Sequence, residues 1–276
     1  MTTQTPDMTP EQAAHALAWL VDMGADEVIL DSPVNRFAKS LVPEPAKPPV
    51  ATPPPLRFVP QVPAAPRAAT LPDQAAADAA AQAAACHSLE ALIQAQNYFE
   101  ANPLRKGATK LSFMEGNRQA DILVLSDRPR NDEDKSGQVV ATKARVLLQN
   151  MLAAIGLKIG DEPAPRNVML MNFVPWRPPG NRQPLDAEVA VCLPFASRAI
   201  ALLQPKLILA LGSLGGQFMA GGDASIIRQR GKWLSIGEIP LLATLHPDDL
   251  LKAPTQKKLA WRDLQAFKAR MNEVLT

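Results

Sequence analysis

Only two cysteines, Cys86 and Cys192, occur in the 276 residues, and they lie far apart. A small secreted fold stapled by disulfides is excluded, and a reducing, cytoplasmic setting is the expectation. Two thiols also fall short of the four thiolates that an iron–sulfur cluster usually takes. No cofactor and no metal are expected. No apolar run approaches the roughly 20 residues that cross a membrane, so no membrane partner is expected either. The N-terminus has no basic region leading into an apolar core, and no secretory signal is expected. Internal repeats are absent.

What is present is an uneven distribution of charge. Residues 1–85 carry five Lys/Arg and nine Asp/Glu, a net of −4, which leaves +6 for residues 86–276 out of the chain total of +2. The excess is modest. It permits a nucleic-acid partner without requiring one.

Three segments follow from the pattern. Residues 1–41 are expected to hold a short helix: Thr9 suits an N-cap, Pro10 the first helical position and Gln12 the capping box, and Gly24 ends the apolar periodicity. Residues 42–85 are expected to be a disordered Pro/Ala-rich linker, with eleven prolines between Pro43 and Pro72. The linker reads as a spacer, or as a ligand for a protein partner. From about residue 74 the alanines are expected to start a helix that continues through Leu89, Leu92 and Ile93. Residues 86–276 form the third segment, the folded domain, expected as a monomer.

Within that domain, short apolar runs alternate with amphipathic stretches. Strands are expected at Asp121–Leu125, Asn167–Phe173, Leu207–Leu211 and Pro240–Thr244. Helices are expected between them and from about Pro254 to the end. Such alternation predicts an α/β fold, a three-layer α/β/α sandwich around a central four-stranded parallel sheet. Loops leaving the C-terminal ends of parallel strands converge on one crevice. Three such loops carry functional residue types: Ser126 to Gly137, Asn172 to Arg182, and Thr244 to Leu251.

The middle loop, Asn172-Phe173-Val174-Pro175-Trp176-Arg177-Pro178-Pro179-Gly180-Asn181-Arg182, carries the most specific signal. With Glu133-Asp134, Gly137, Pro205-Lys206, Leu211-Gly212, Arg230-Gly231, His246-Pro247, Leu250-Leu251, Trp261 and Asp263, it resembles the motif series of the family 4 uracil-DNA glycosylases. The order and spacing agree from about Pro103 to the C-terminus. The resemblance implies DNA as the partner and excision of uracil, or another deaminated base, as the reaction. It implies that Asn172 reads the edge of an extruded base. His246 would stabilise the leaving anion, and Asp127 would serve the water or the sugar cation. Arg177, Asn181, Arg182, Arg230 and Lys252 would contact DNA.

The chain also departs from that family. Where the family has Gly-Glu-Ala-Pro-Gly, this sequence has Ser126-Asp127-Arg128-Pro129-Arg130. Val140 stands where the family stacks a phenylalanine on the base. Asp248 and Asp249 replace a serine and its neighbour near a phosphate. Asn102 and Trp176 stand where cluster thiolates would, and only Cys192 fits. Two readings stay open at this point: a cluster-free glycosylase, or a catalytically degenerate paralogue that binds DNA or protein. Asp127 reads equally as a catalytic acid or as an ion-pair partner of Arg128 or Arg130. Asp132-Glu133-Asp134 reads as a solvated loop or a helix cap, and Cys192 as a core thiol.

Overall fold

A computed structural model describes residues 71–275, apart from Pro163 and Pro165. The expected segment 1–41, its helix, and the linker up to residue 70 lie outside the described residues. In chain order the strands are β1 (Met114–Gly116), β2 (Ile122–Ser126), β3 (Lys158–Ile159), β4 (Asn167–Asn172), β5 (Leu207–Leu211), β6 (Trp233–Ile236) and β7 (Ile239–Thr244). The helices are α1 (Leu71–Ala84), α2 (Leu89–Tyr98), α3 (Asn131–Ser136), α4 (Thr142–Ala154), α5 (Asp186–Leu203), α6 (Leu214–Ala220), α7 (Ile226–Gln229), α8 (Pro247–Lys252) and α9 (Lys257–Val274). Among the described residues no helix is long and apolar enough to cross a membrane.

The four expected strands form the parallel centre of the sheet, in the order β4-β2-β5-β7. The sheet is wider than expected. Two antiparallel edges, β1 against β4 and β6 against β7, and the short β3 bring it to seven strands among the described residues. These additions are short or half-exposed, so they lack the continuous apolar run that announces a buried strand. The stretch around Trp233 is one of them. It alternates exposed and half-buried residues along β6.

Strand geometry divides the core in two. Side chains alternate along a strand, so Leu123, Leu125, Met169, Met171, Ile208 and Ala210 pack against α1, α2 and α5. Their neighbours Ile122, Val124, Val168, Leu170, Leu207 and Leu209 pack against α4 and α9. Each fully buried aliphatic side chain contributes roughly 1.5–3 kcal/mol. The three-layer α/β/α architecture follows from that two-sided burial.

The alanine-rich stretch belongs to this fold and not to the linker. Ala79 and Ala83 of α1 are buried against the domain, which corrects the expected linker boundary at residue 85. The helix expected to run on through Leu89, Leu92 and Ile93 is also two helices. The chain breaks after Ala84 and restarts at Ser88, whose Oγ accepts the Ala91 N–H at 3.1 Å. Small side chains let α1 lie close to α5, so its low hydrophobicity does not prevent docking.

The C-terminal helix is fastened by charge as well as by packing. Asp263 of α9, only 3% exposed, accepts from Arg230 Nε at 3.0 Å, Arg230 Nη2 at 2.5 Å and Thr244 Oγ1 at 2.8 Å. Removing one partner of a buried pair leaves the other uncompensated. Asp263→Ala is expected to lower stability by about 3 kcal/mol, read as a reduced urea midpoint at unchanged slope.

Candidate active site

The crevice lies where the chain changes direction. From β2 it passes through α4 to β4 on one side, then through α5 on the opposite face to β5 on the other. The loops after β2 and β5 therefore separate, as at a topological switch point. Asp127 fills that gap. Its carboxylate accepts the Leu214 N–H at 2.8 Å and the Ser213 N–H at 3.2 Å. Gly212 makes room for it: its φ is +100°, and a Cβ there would run into the Asp127 carboxylate.

Burial pushes the Asp127 pKa up to about 6, against the Leu214 and Ser213 N–H groups and Arg128, which pull it down. Neither Arg128 nor Arg130 forms an ion pair with it. Arg128 instead donates to the backbone carbonyls of Arg182 and Asn181. The alternative of Asp127 as an ion-pair partner is thereby set aside.

Asn172 ends β4 beside Ser126, its register partner on β2. Its Nδ2 donates to Ser112 O and Ser112 Oγ, both at 2.8 Å, and faces Val139 O at 3.3 Å. Those carbonyls fix which end of the amide is nitrogen. Its Oδ1 is buried without any donor. A buried acceptor left unpaired costs about 1–3 kcal/mol, so this atom is unsatisfied until something supplies an N–H or O–H.

His246 caps α8. Its Nδ1 accepts the Asp248 N–H at 3.2 Å, and its Nε2 lies 3.3 Å from Ser126 Oγ. An acceptor role for Nδ1 places the proton of the neutral ring on Nε2. Burial first, then Arg130, Arg128 and Lys252, drive the His246 pKa down to about 3. The Asp248 carboxylate lies 3.4 Å from Nδ1, but with a neutral ring this is proximity and not an ion pair. Ser126 thus brings the imidazole and the Asn172 amide together. Sequence reasoning misses Ser126 and Ser112; for Ser126 the one available signal is a hydroxyl at the polar end of an otherwise apolar strand.

The rewritten loops compensate one another. Arg130 of the first loop pairs with Asp248 at 2.6 Å and Asp249 at 3.3 Å in the third. The two acids that replace the serine and its neighbour are neutralised from within. Arg128 binds the second loop, so two arginines in place of small residues stitch all three loops.

Most of the expected DNA contacts are likewise engaged inside the protein. Arg177 pairs with Asp134 at 3.1 Å, Arg182 with Glu188 at 2.6 Å, and Arg230 with Asp263. The Asn181 carbonyl accepts from Arg128, while its Oδ1 is buried without a partner. Lys252 is exposed, with no ion pair among the described residues. Val140 is fully buried in the core against α4, so its side chain offers no face to a base. Glu133 is a helix cap and not a solvated acid. It accepts the Arg130 N–H at 3.0 Å and the Ala141 N–H at 2.7 Å, bracing the starts of α3 and α4.

The place where the resemblance would put a cluster is built differently. Asn102 and Trp176 are both buried there, and Asn102 Nδ2 contacts Cys192 Sγ at 3.6 Å. Burial pushes the Cys192 thiol up to about 12, so it is not a thiolate. One protonated thiol, an amide and an indole do not fit a four-thiolate cluster. Among the described residues no group of three or more His, Cys, Asp or Glu is placed to hold a metal ion.

The α/β/α sandwich thus carries an acid, an amide and a neutral imidazole at the C-terminal ends of three parallel strands, β2, β4 and β7, with β5 between β2 and β7. The family model for the uracil DNA glycosylase superfamily matches residues 113–265, and the chain belongs to that superfamily. It is 31% identical over 173 residues to a type-4 uracil-DNA glycosylase of Thermotoga maritima, covering 60% of this chain and 86% of that protein. A type-4 uracil-DNA glycosylase of Pyrobaculum aerophilum is 28% identical over 174 residues, covering 60% and 85%. One from Archaeoglobus fulgidus is 31% identical over 156 residues, covering 53% and 75%.

The Asp127 seat makes a direct prediction. Gly212→Ala forces a side chain into a left-handed backbone position and into the carboxylate. It is expected to destabilise the fold by about 1–3 kcal/mol and to displace Asp127, detected as a lower melting temperature and a moved Asp127 carboxyl resonance.

Proposed function

We propose that the chain is a DNA repair glycosylase that hydrolyses the N-glycosidic bond of uracil or a related deaminated base, without a resident cluster. The observation that carries this reading is the buried, unpaired Asn172 Oδ1 beside a neutral His246. Deamination turns the cytosine N3 acceptor into the uracil N3–H donor, and the adenine N1 acceptor into a donor as well. An unsatisfied carbonyl oxygen accepts the deaminated bases and repels their parents.

The remaining groups take roles in the hydrolysis. As the bond from the sugar to the base breaks, its electron pair stays on the base. His246 Nε2–H donates to the base oxygen that gains charge, which a neutral imidazole can do without a prior proton transfer. The Asp127 carboxylate faces the sugar, offsets its growing positive charge and orients the water. The water oxygen bonds to the sugar carbon, one water proton passes to the Asp127 carboxylate and from there to solvent, and the released base anion takes a proton from solvent. Ser126 holds the imidazole between turnovers. Lys252 supplies free positive charge for a phosphate.

A second reading has its own supporting observation. Arg128 and Arg130 tie the three loops to one another. A paralogue that has lost catalysis and acts as a DNA- or protein-binding module would tolerate those ties permanently. The Pro-rich tract would then serve a protein partner, and a cytoplasmic monomer remains the expected form in either case.

One assay separates the two readings. Purified protein is expected to release uracil from a uracil-containing oligonucleotide, with His246→Ala reducing the rate by about 10²–10³-fold. Absence of cleavage on any deaminated base, with DNA binding retained, would leave the degenerate module as the better account.

The pH profile tests Asp127 independently. Its active form is the carboxylate, so single-turnover rates are expected to rise about tenfold from pH 5 to pH 7, following a group near 6. No limb from His246 is expected in that window, because the ring stays neutral well below it. A flat profile across pH 5–7 would remove Asp127 from the mechanism.

A further inference from the structure

Beside the crevice, three helices enclose an apolar groove of about 220 Å³. Leu147 and Met151 of α4, Leu250 of α8, and Lys257, Trp261 and Leu264 of α9 line it. Trp261 is 43% exposed at its rim. An indole left this open keeps part of its apolar face uncovered by the described residues.

Among the described residues, the charge that these three helices leave unpaired is positive. Every acid on the three helices is engaged: Asp248 and Asp249 by Arg130, Asp263 by Arg230, and Glu273 by Arg270. The α4 sequence contains no acid. By contrast Lys143, Lys252, Lys257, Lys258 and Arg262 make no ion pair or side-chain hydrogen bond among the described residues. Unpaired cations around an exposed aromatic make a surface complementary to a polyanion that carries flat rings. The groove is too small for a protein helix and about the size of one base.

Its position suits a strand that also reaches the crevice. His246 caps the start of α8 and Lys252 ends it, and a six-residue helix rises about 9 Å. Nucleotides follow one another about every 3.4 Å along a B-form strand, so the groove lies within a few nucleotides of the base site. A paired base in a duplex has no free face to offer; an unpaired one does.

We infer that the groove receives an unpaired nucleobase of single-stranded DNA flanking the target, stacked on Trp261, with neighbouring phosphates on Lys252, Lys257 and Lys258. This rests on the proposed glycosylase reading for the identity of its ligand, and it adds a strand preference and a subsite to it.

The test uses the full chain and a fluorescein-labelled oligothymidylate that contains no uracil, read by anisotropy. Trp261→Ala is expected to weaken binding about fivefold to a hundredfold. The loss is expected to vanish on an oligonucleotide whose flanking positions are abasic, because only a base can stack. Lys257→Gln with Lys258→Gln, both exposed and independent of the core, is expected to reduce the slope of log affinity against log salt by about 0.7 for each phosphate no longer neutralised. These lysine variants decide the matter should Trp261→Ala fail to fold. Affinity within twofold of wild type for Trp261→Ala, an equal loss on abasic DNA or on duplex, or an unchanged salt slope would each overturn the inference and leave the groove to another partner or to none. Uracil release, measured separately, keeps the two readings apart. Excision with an indifferent Trp261 sinks the groove alone, and a Trp261 effect without excision sinks the glycosylase alone.

Discussion

Arg130 sits between Asp248 and Asp249, and the order of the site runs outward from that contact. It fixes the start of α8, and with it the Asp248 N–H that donates to His246 Nδ1. That donation sets the tautomer, the tautomer puts the proton on Nε2, and Nε2 faces Ser126 beside Asn172. A guanidinium next to a buried imidazole also makes a second positive charge unfavourable there, so the contact that orients the ring helps to keep it neutral. The pairing is charge-assisted and only partly solvated, the setting in which an ion pair is least screened. Losing it would free two carboxylates in the same crevice as Asp127.

Asp127 and His246 illustrate how environment separates two titratable groups. Burial destabilises the charged form of each, so the acid moves up and the base moves down. Their pH linkages consequently oppose each other. The folded state holds the Asp127 proton up to about pH 6, so the stability from that group is lost as pH rises through 6. The folded state refuses the His246 proton down to about 3, so stability is lost as pH falls below the ordinary histidine range toward 3. Around neutrality the pair is an anion and a neutral donor, the combination that hydrolysis of a bond with an anionic leaving group calls for.

The parallel centre of the sheet was legible because four short apolar runs, each buried on both faces, leave a clear trace in the sequence. Asn172, Asp127 and His246 were legible as the residues on which those runs end. The edges were not. β1, β3 and β6 are two to four residues long and draw their stability from a neighbour, not from their own composition. The docking of α1 is hidden for a related reason: alanines alone do not announce a buried face, and α5 supplies the surface against which they pack. Ser126 and Ser112 leave little trace because a serine declares nothing until its partner is known. Val140 shows the converse error. Alignment with an aromatic position suggested a pocket wall, while its own chemistry, apolar and β-branched, suited the core into which it folds.

Cations pose the hardest problem for a sequence reader, because charge is visible and engagement is not. Arg177, Arg182 and Arg230 lie in motifs that suggest phosphate contacts, yet each has a carboxylate at ion-pair distance. A guanidinium already paired inside the protein can reach a phosphate only by giving up its partner, and the partner's carboxylate then adds repulsion. Among the described residues the lysines at 252, 257 and 258 lack such partners, and compact, strongly hydrated point charges of this kind exchange counterions for phosphates without rearranging the fold. Substitution of small residues and a serine by Arg128, Arg130, Asp248 and Asp249 has the same logic. It converts part of the crevice wall from a surface that approaches a ligand into one that holds itself together. Among the described residues the unpaired positive charge thereby lies along α8 and at the start of α9, outside the stitched loops.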